Sequence, residues 1–223
     1  MSGATEAVLL DSFGTLVRME PPGPRLRDEL RRDGFDVPAE RADLAFRAEI
    51  GYYLEHHVEG RDPRSLDALR DRCAERLREA LALPGLDHAR ARAAMLASLR
   101  FTPFDDAAPT LRELRERGLR LVVASNWDCS LPEVLERAGL APLVDAVVSS
   151  ASAGATKPDA RLFHAALAAA GCGPDRALHV GDSREKDLEG ARAAGLRAVL
   201  LDRDGSEDAR DAIPSLRDLP ALI

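Results

Sequence analysis

Between residues 106 and 202 the chain alternates helical stretches with short apolar runs, and this alternation limits the fold more than any other feature. Leu111 and Leu114 mark a helix stopped at Gly118, and 119–124 follow as a strand. Leu131, Val134, Leu135 and Ala138 mark the next helix, stopped at Gly139, with a short strand at 146–148. Leu162, Phe163, Ala166, Leu167 and Ala170 mark a third, stopped at Gly171, before a strand at 177–180. A fourth runs through Leu188 and Ala191 to Gly195, before 196–201. A period near 3.6 followed by a continuous apolar run is the pattern of crossover helices and buried parallel strands. Glycine just past each helix predicts a left-handed cap. With 6–10 as a further central strand, the expected fold class is α/β, a doubly wound parallel sheet.

One connection in this scheme is too long. Asp11 and Ser125 lie 114 positions apart, whereas a simple crossover unit needs about 30 residues. The excess is helical: 24–33, 39–57, 63–82 and 87–99 carry helical periodicity and little strand character. Pro21, Pro22, Gly23 and Pro24 mark the exit to this insert, and Thr102 with Pro103 marks the return. The expected organisation is a core formed by 1–16 and 106–223, with a helical domain inserted at 17–105. As a cap it would cover the end of the first strand; the plain alternative is a helical decoration.

Composition narrows the class. Apolar residues make up 45% and charged residues 31% of 223, as in an ordinary soluble domain. A net charge of -7 leaves no basic excess to neutralise a nucleic-acid backbone. Cys73, Cys129 and Cys172 are widely spaced, odd in number and free of any CxxC pattern, which predicts reduced thiols in a cytosolic protein. The apolar run at 6–10 is too short for a signal-peptide core, and no run approaches the ~20 residues that span a bilayer. The expectation is therefore a cytoplasmic monomer or homodimer with no membrane or nucleic-acid partner.

Chemistry concentrates in four segments: Asp-Ser-Phe-Gly-Thr-Leu at 11–16, Val-Val-Ala-Ser-Asn at 122–126, Thr-Lys-Pro-Asp at 156–159, and His-Val-Gly-Asp-Ser-Arg-Glu-Lys-Asp at 179–187. In open parallel sheets ligands bind beyond the carboxyl ends of the strands, and Asp11, Ser125 and Asp182 each sit at such an end. Asp11 suits a nucleophile facing a phosphate. Asp11 and Asp182 together suit Mg2+, a hard cation that takes one or two carboxylates with water and substrate oxygens. Lys157 would offset repulsion between an anionic nucleophile and an anionic substrate, while Thr15, Ser125 and nearby backbone N–H groups would cradle the transferring group. Each residue also has a plain structural reading. Asp11 ends a strand, Lys157 precedes a helix, Asn126 suits a turn as well as a ligand, and Asp187 suits the first turn of a helix, where the dipole favours it. Tyr52, Tyr53, His56 and His57 either read substrate or pack the insert. No His-Cys-Asp spacing suggests zinc, and Ser125 lacks a Gly-x-Ser-x-Gly elbow.

These four segments, in this order, resemble the haloacid dehalogenase-like hydrolase superfamily, with a helical cap of the type inserted just after the first strand. The resemblance covers nearly the whole chain. It implies Asp11 as nucleophile, Ser125 as a phosphate ligand, Lys157 as charge stabiliser, and Asp182 as a Mg2+ ligand. It further implies the backbone carbonyl of Phe13 on the metal and Asp187 as an outer-shell metal partner. Phe13 departs from the pattern, because family phosphatases carry there an Asp that protonates the leaving group and then activates water. L-2-haloacid dehalogenases carry Tyr at that position, but they lack the Gly-Asp pair kept here at 181–182, and they tend to carry Tyr where Phe163 stands. Three readings follow. The first is a Mg2+-dependent phosphohydrolase of a small phosphorylated metabolite, acting through an aspartyl-phosphate. The second is a carbon–halogen hydrolase using the same Asp, and the third is a protein that binds Mg2+ and phosphate but turns over little.

Overall fold

The computed structural model describes residues 4–206 and 212–223. The expected core also takes in 1–3 and 207–211, which lie outside the described residues. The chain divides into two compact units, Met1–Arg18 with Thr102–Ile223, and Met19–Phe101. Val17, Arg18 and 102–105 thus count with the first unit.

The first unit is built on strands β1 (Ala7–Leu10), β4 (Arg120–Ser125), β5 (Ala146–Ser149), β6 (Ala177–Gly181), β7 (Arg197–Leu201) and β8 (Ala212–Ile213), in the spatial order β5-β4-β1-β6-β7-β8. Every neighbouring pair is parallel. The five strands expected from the apolar runs are all present; the two-residue β8 is too short to leave such a run. All four residues of β1 are buried, as a central strand covered on both faces requires. Alternation sends Ala7 and Leu9 to one face, where they pack with Val122, Ala124, Leu162, Phe163 and Ala166.

Helices α5 (Ala107–Glu116), α6 (Leu131–Arg137), α7 (Ser150–Ala153), α8 (Ala160–Ala170) and α9 (Gly190–Ala193) supply the crossovers. In α8 the Asp159 carboxylate accepts from the Arg161 N–H at the start, and Gly171, at φ 70, ends the helix with its N–H on the Leu167 carbonyl. Leu162, Phe163, Ala166, Leu167 and Ala170 form its buried stripe, the residues that the period marks. Before α9 the chain forms one π-helical stretch, Arg184–Glu189, that the sequence pattern does not announce.

The strand order turns on β1. From β1 the chain moves outward through β4 to β5, then returns to the other side of β1 as β6 and continues to β7. The connections reverse direction between β1 and β6, and a doubly wound sheet opens its ligand crevice at that place, beyond the carboxyl ends.

The second unit is helical: α1 (Pro22–Arg32), α2 (Ala39–His56), α3 (Pro63–Leu81) and α4 (His88–Ser98). Proline at the first turn starts α1, and Asp62 with Ser65 forms a reciprocal capping box on α3. The packed stripe of α2 reads Ala42, Ala45, Phe46, Glu49, so an acid occupies a core position. Leu66, Leu69, Cys73, Leu77 and Leu81 are buried along α3. The short strands β2 (Val17–Met19) and β3 (Phe101–Pro103) pair where the chain passes between the units. Among the described residues no helix is long and apolar enough to cross a membrane.

Candidate active site

The crevice at the switch point holds Asp11 just past β1 and Asp182 just past β6. The Asp11 N–H continues the sheet ladder by donating to the Val180 carbonyl at 2.9 Å, which fixes the start of the turn. The Ser12 carbonyl then accepts from the N–H groups of Thr15, Leu16 and Val17. Gly14 stands at φ 81, and a Cβ there would lie 1.9 Å from Asp182 Oδ2. Only glycine lets the two strand ends approach this closely. Gly181 meets the same requirement, since a Cβ on it would lie 2.2 Å from the Asp187 carboxyl carbon.

Lys157 connects the acids. It lies between α7 and α8, is 3% exposed, and donates from Nζ to Asp11 Oδ1 at 2.6 Å and to Asp187 Oδ1 at 2.5 Å. Asp187 also accepts from His179 Nε2 at 2.9 Å and from the Ser183 N–H at 3.1 Å. The Ser125 side chain lies close enough to Asp11 to favour its ionised carboxylate. One carboxylate oxygen from each of Asp11, Asp182 and Asp187 lies within 4.8 Å of the others. Clustered hard oxygen donors at the mouth of a crevice fit a hard divalent cation.

The electrostatics differ among the three acids. Burial pushes the Asp11 carboxyl up, against the pull of Lys157. Burial also works on Asp187, but the Lys157 charge and the His179 hydrogen bond hold it below the usual carboxylate range. Asp182 reaches solvent, yet the protein packed around it and the charges of Asp11 and Asp187 push it up to about 6. Lys157 loses solvation by burial, and the two carboxylates more than compensate, raising its pKa.

Asp11, Ser125, Lys157, Asp182 and Asp187 therefore converge. Asn126 and Thr15 are engaged differently. Asn126 accepts the Lys157 N–H on Oδ1 at 2.8 Å and donates from Nδ2 to the Lys157 carbonyl at 3.1 Å, so its amide holds the lysine backbone in place. Thr15 is fully buried, and its Oγ1, like the Ser12 Oγ, has no hydrogen-bond partner among the described residues. Phe13 is 47% exposed, with its ring centroid 6.4 Å from that of Trp127. His179 is the group sequence reasoning passed over. Its signal was a lone polar residue inside an otherwise apolar buried strand.

The comparisons with known proteins agree with this architecture. The chain is 42% identical over 120 residues to the haloacid dehalogenase-like hydrolase domain-containing protein 3 of Bos taurus, covering 53% of this chain and 48% of that protein. It is 43% identical over 119 residues to a phosphoserine phosphatase of Thermus thermophilus, with the same shares of 53% and 48%. The chain thus spans about half the length of the curated relatives it matches. Among solved structures, a 2-haloacid dehalogenase from Pseudomonas syringae superposes with a TM-score of 0.68 at 25% identity, covering 98% of this chain and 97% of that one. Residues 5–195 match the model of the haloacid dehalogenase-like hydrolases, and the chain belongs to that family.

Proposed function

We propose that this chain is a Mg2+-dependent phosphohydrolase of a small phosphorylated metabolite, with Asp11 as nucleophile. The observation that carries the reading is Lys157 seated between Asp11 and Asp187, with Asp182 completing an oxygen cluster at the switch point. The relatives named as phosphatases, among them the Thermus phosphoserine phosphatase, support the reaction class.

Asp11, Asp182 and the Phe13 carbonyl would hold Mg2+, with Asp187 behind them. When bound, the ion supplies positive charge against the phosphate oxygens. In this reading an Asp11 carboxylate oxygen attacks phosphorus, the bond to the leaving oxygen breaks, and an aspartyl-phosphate forms on Asp11. Water then cleaves it and restores the carboxylate. Lys157 pulls Asp11 toward its ionised form against the effect of burial and would stabilise the anionic phosphoryl group. Ser125 donates toward the same group, and Asn126 keeps Lys157 in register. Phe13 offers no proton to the leaving oxygen.

A second reading has its own support in Phe13 and in the likeness to a 2-haloacid dehalogenase. In it Asp11 displaces a halide, which leaves without a proton. One pair of assays separates the two. Wild type and Asp11→Asn are given p-nitrophenyl phosphate with Mg2+, and separately 2-chloropropionate with EDTA. Phosphate release that needs both Asp11 and Mg2+ is expected. Halide release indifferent to EDTA would transfer the assignment to the second reading. An Asp11→Asn variant that keeps most of the phosphatase rate would end both.

A further inference from the structure

Arg203 lies in the turn after β7, outside the residues that match the family model. Its guanidinium forks onto Asp106, with Nη1 2.8 Å from Oδ2 and Nη2 3.0 Å from Oδ1. The same Nη2 donates to the Thr15 carbonyl at 2.8 Å, and Nε donates to the Gly14 carbonyl at 3.3 Å. The Phe104 ring lies 3.9 Å from its guanidinium carbon, so the plane of the fork is supported by an aromatic face. Asp106 is itself fixed: it also accepts the Ser215 hydroxyl at 2.8 Å and the Leu216 N–H at 3.0 Å. Burial pushes its carboxyl up, but Arg203, Ser215 and Leu216 together hold it below its ordinary value.

The carbonyls that Arg203 grips belong to the turn that carries Asp11. Gly14 is also the residue whose missing side chain admits Asp182. A shift of the Gly14–Thr15 peptide therefore moves Asp11 and the Gly14–Asp182 contact together. The turn's own hydrogen bonds converge on the Ser12 carbonyl and close it from within. Arg203 ties it from outside to the start of α5 and to the C-terminal segment.

We propose that Arg203 is a positioning residue for the nucleophile, a clamp that sets where the Asp11 turn stands relative to Asp182. The proposal rests on the reading of Asp11 as nucleophile. A guanidinium is required, because one planar fork must serve a carboxylate and two carbonyls at once. A lysine ammonium keeps the charge opposite Asp106 but cannot span all three.

The test uses Arg203→Lys and Arg203→Ala in the full chain, assayed with p-nitrophenyl phosphate and Mg2+. A displaced nucleophile costs rate rather than binding, so kcat is expected to fall by about 10- to 100-fold, with KM moving by no more than about twofold. Millimolar guanidinium should return part of the lost kcat to Arg203→Ala and none to wild type. Amide exchange at 14–17 should quicken in both variants while that of 7–10 stays as in wild type. Arg203→Lys retains the Asp106 pair and so keeps the test open if Arg203→Ala fails to fold. A kcat within twofold of wild type in the lysine variant, or a fallen kcat with unchanged exchange at 14–17, would overturn the clamp. If Asp11→Asn proves active, the nucleophile reading fails, whereas an inert Asp11→Asn beside a fully active Arg203→Lys sinks the clamp alone.

Discussion

The two units bury acids in opposite ways. In the first, Asp11 and Asp187 share the Lys157 ammonium and Asp106 faces the Arg203 fork. In the second, Glu49 is 4% exposed on the packed stripe of α2, where burial outweighs the lowering influence of the Cys73 side chain. Burial pushes Glu49 up to about 7. Taking a carboxylate out of water is costly unless a cation or several donors replace the lost solvation. The first unit supplies them: Asp187 and Asp106 are held below the ordinary carboxylate value, while for Asp11 burial still outweighs the pull of Lys157. The second supplies a thiol, so its acid is arranged to be neutral. A buried acid marks chemistry where the fold also buries its counter-charge; without that, it marks a pH-sensitive packing position.

Removing the counter-charge is the strongest way to break the contrast. Lys157→Met leaves Asp11 and Asp187 buried with no ammonium between them, and loss of one partner from a buried ionic group costs about 3–5 kcal/mol. The urea midpoint measured in EDTA should fall accordingly. Added Mg2+ should return part of the loss, because a cation bound only by the folded state stabilises it. A variant as stable as wild type in EDTA would mean that the acids are not charged in the resting protein.

Much of this was legible in the sequence, for identifiable reasons. Parallel strands leave apolar runs, whether fully buried as β1 is or half-buried at the sheet edge as β5 is, so β1, β4, β5, β6 and β7 could be read directly, and glycine punctuated the helices between them. The four polar segments could be read because each breaks an apolar run at a strand end or a helix start. Other features depend on distant partners. Arg203 meets Asp106 across 97 positions, with no periodicity to connect them. Asn126 suits a turn as well as a ligand in the sequence, and its amide pairs with the Lys157 backbone across 31 positions. Glu49 occupies a core position of α2, which helical periodicity alone does not reveal. The π-helical stretch at Arg184–Glu189 leaves no mark in the sequence pattern.

The Glu49 side of the contrast predicts a pH effect. Its carboxyl titrates near 4.5 in the unfolded chain and about 7 in the folded one. The folded state therefore retains a proton that the unfolded state releases. Stability from this group is complete below about pH 4.5, declines as pH rises to 7, and stays lost above it. A shift of this size corresponds to roughly 3 kcal/mol. Glu49→Gln should remove most of that decline and be the more stable protein in mildly alkaline buffer, by denaturant titrations across the range. Parallel stability curves for the two proteins would show that Glu49 is ionised in the fold, and the contrast between the units would collapse.

The smallest expected effect concerns Phe13, the one large apolar side chain exposed on the Asp11 turn. Because the ring is 47% exposed and meets Trp127 at 6.4 Å, replacing it removes little core packing. Phe13→Asp can therefore be read as a change in chemistry. Without an acid at this position, an alkoxide must leave unaided, so phosphate esters with low leaving-group pKa should react far faster than alkyl monoesters. A positioned acid contributes roughly 10²- to 10⁴-fold; a new carboxyl beside three existing ones will realise only the lower part, about 10-fold or more on alkyl esters. The measurement is a series of esters graded by leaving-group pKa, run on both proteins. A steep dependence in wild type that flattens in the variant is the expected pair of slopes. A wild-type slope already flat in the chemical step would mean that another residue supplies the proton.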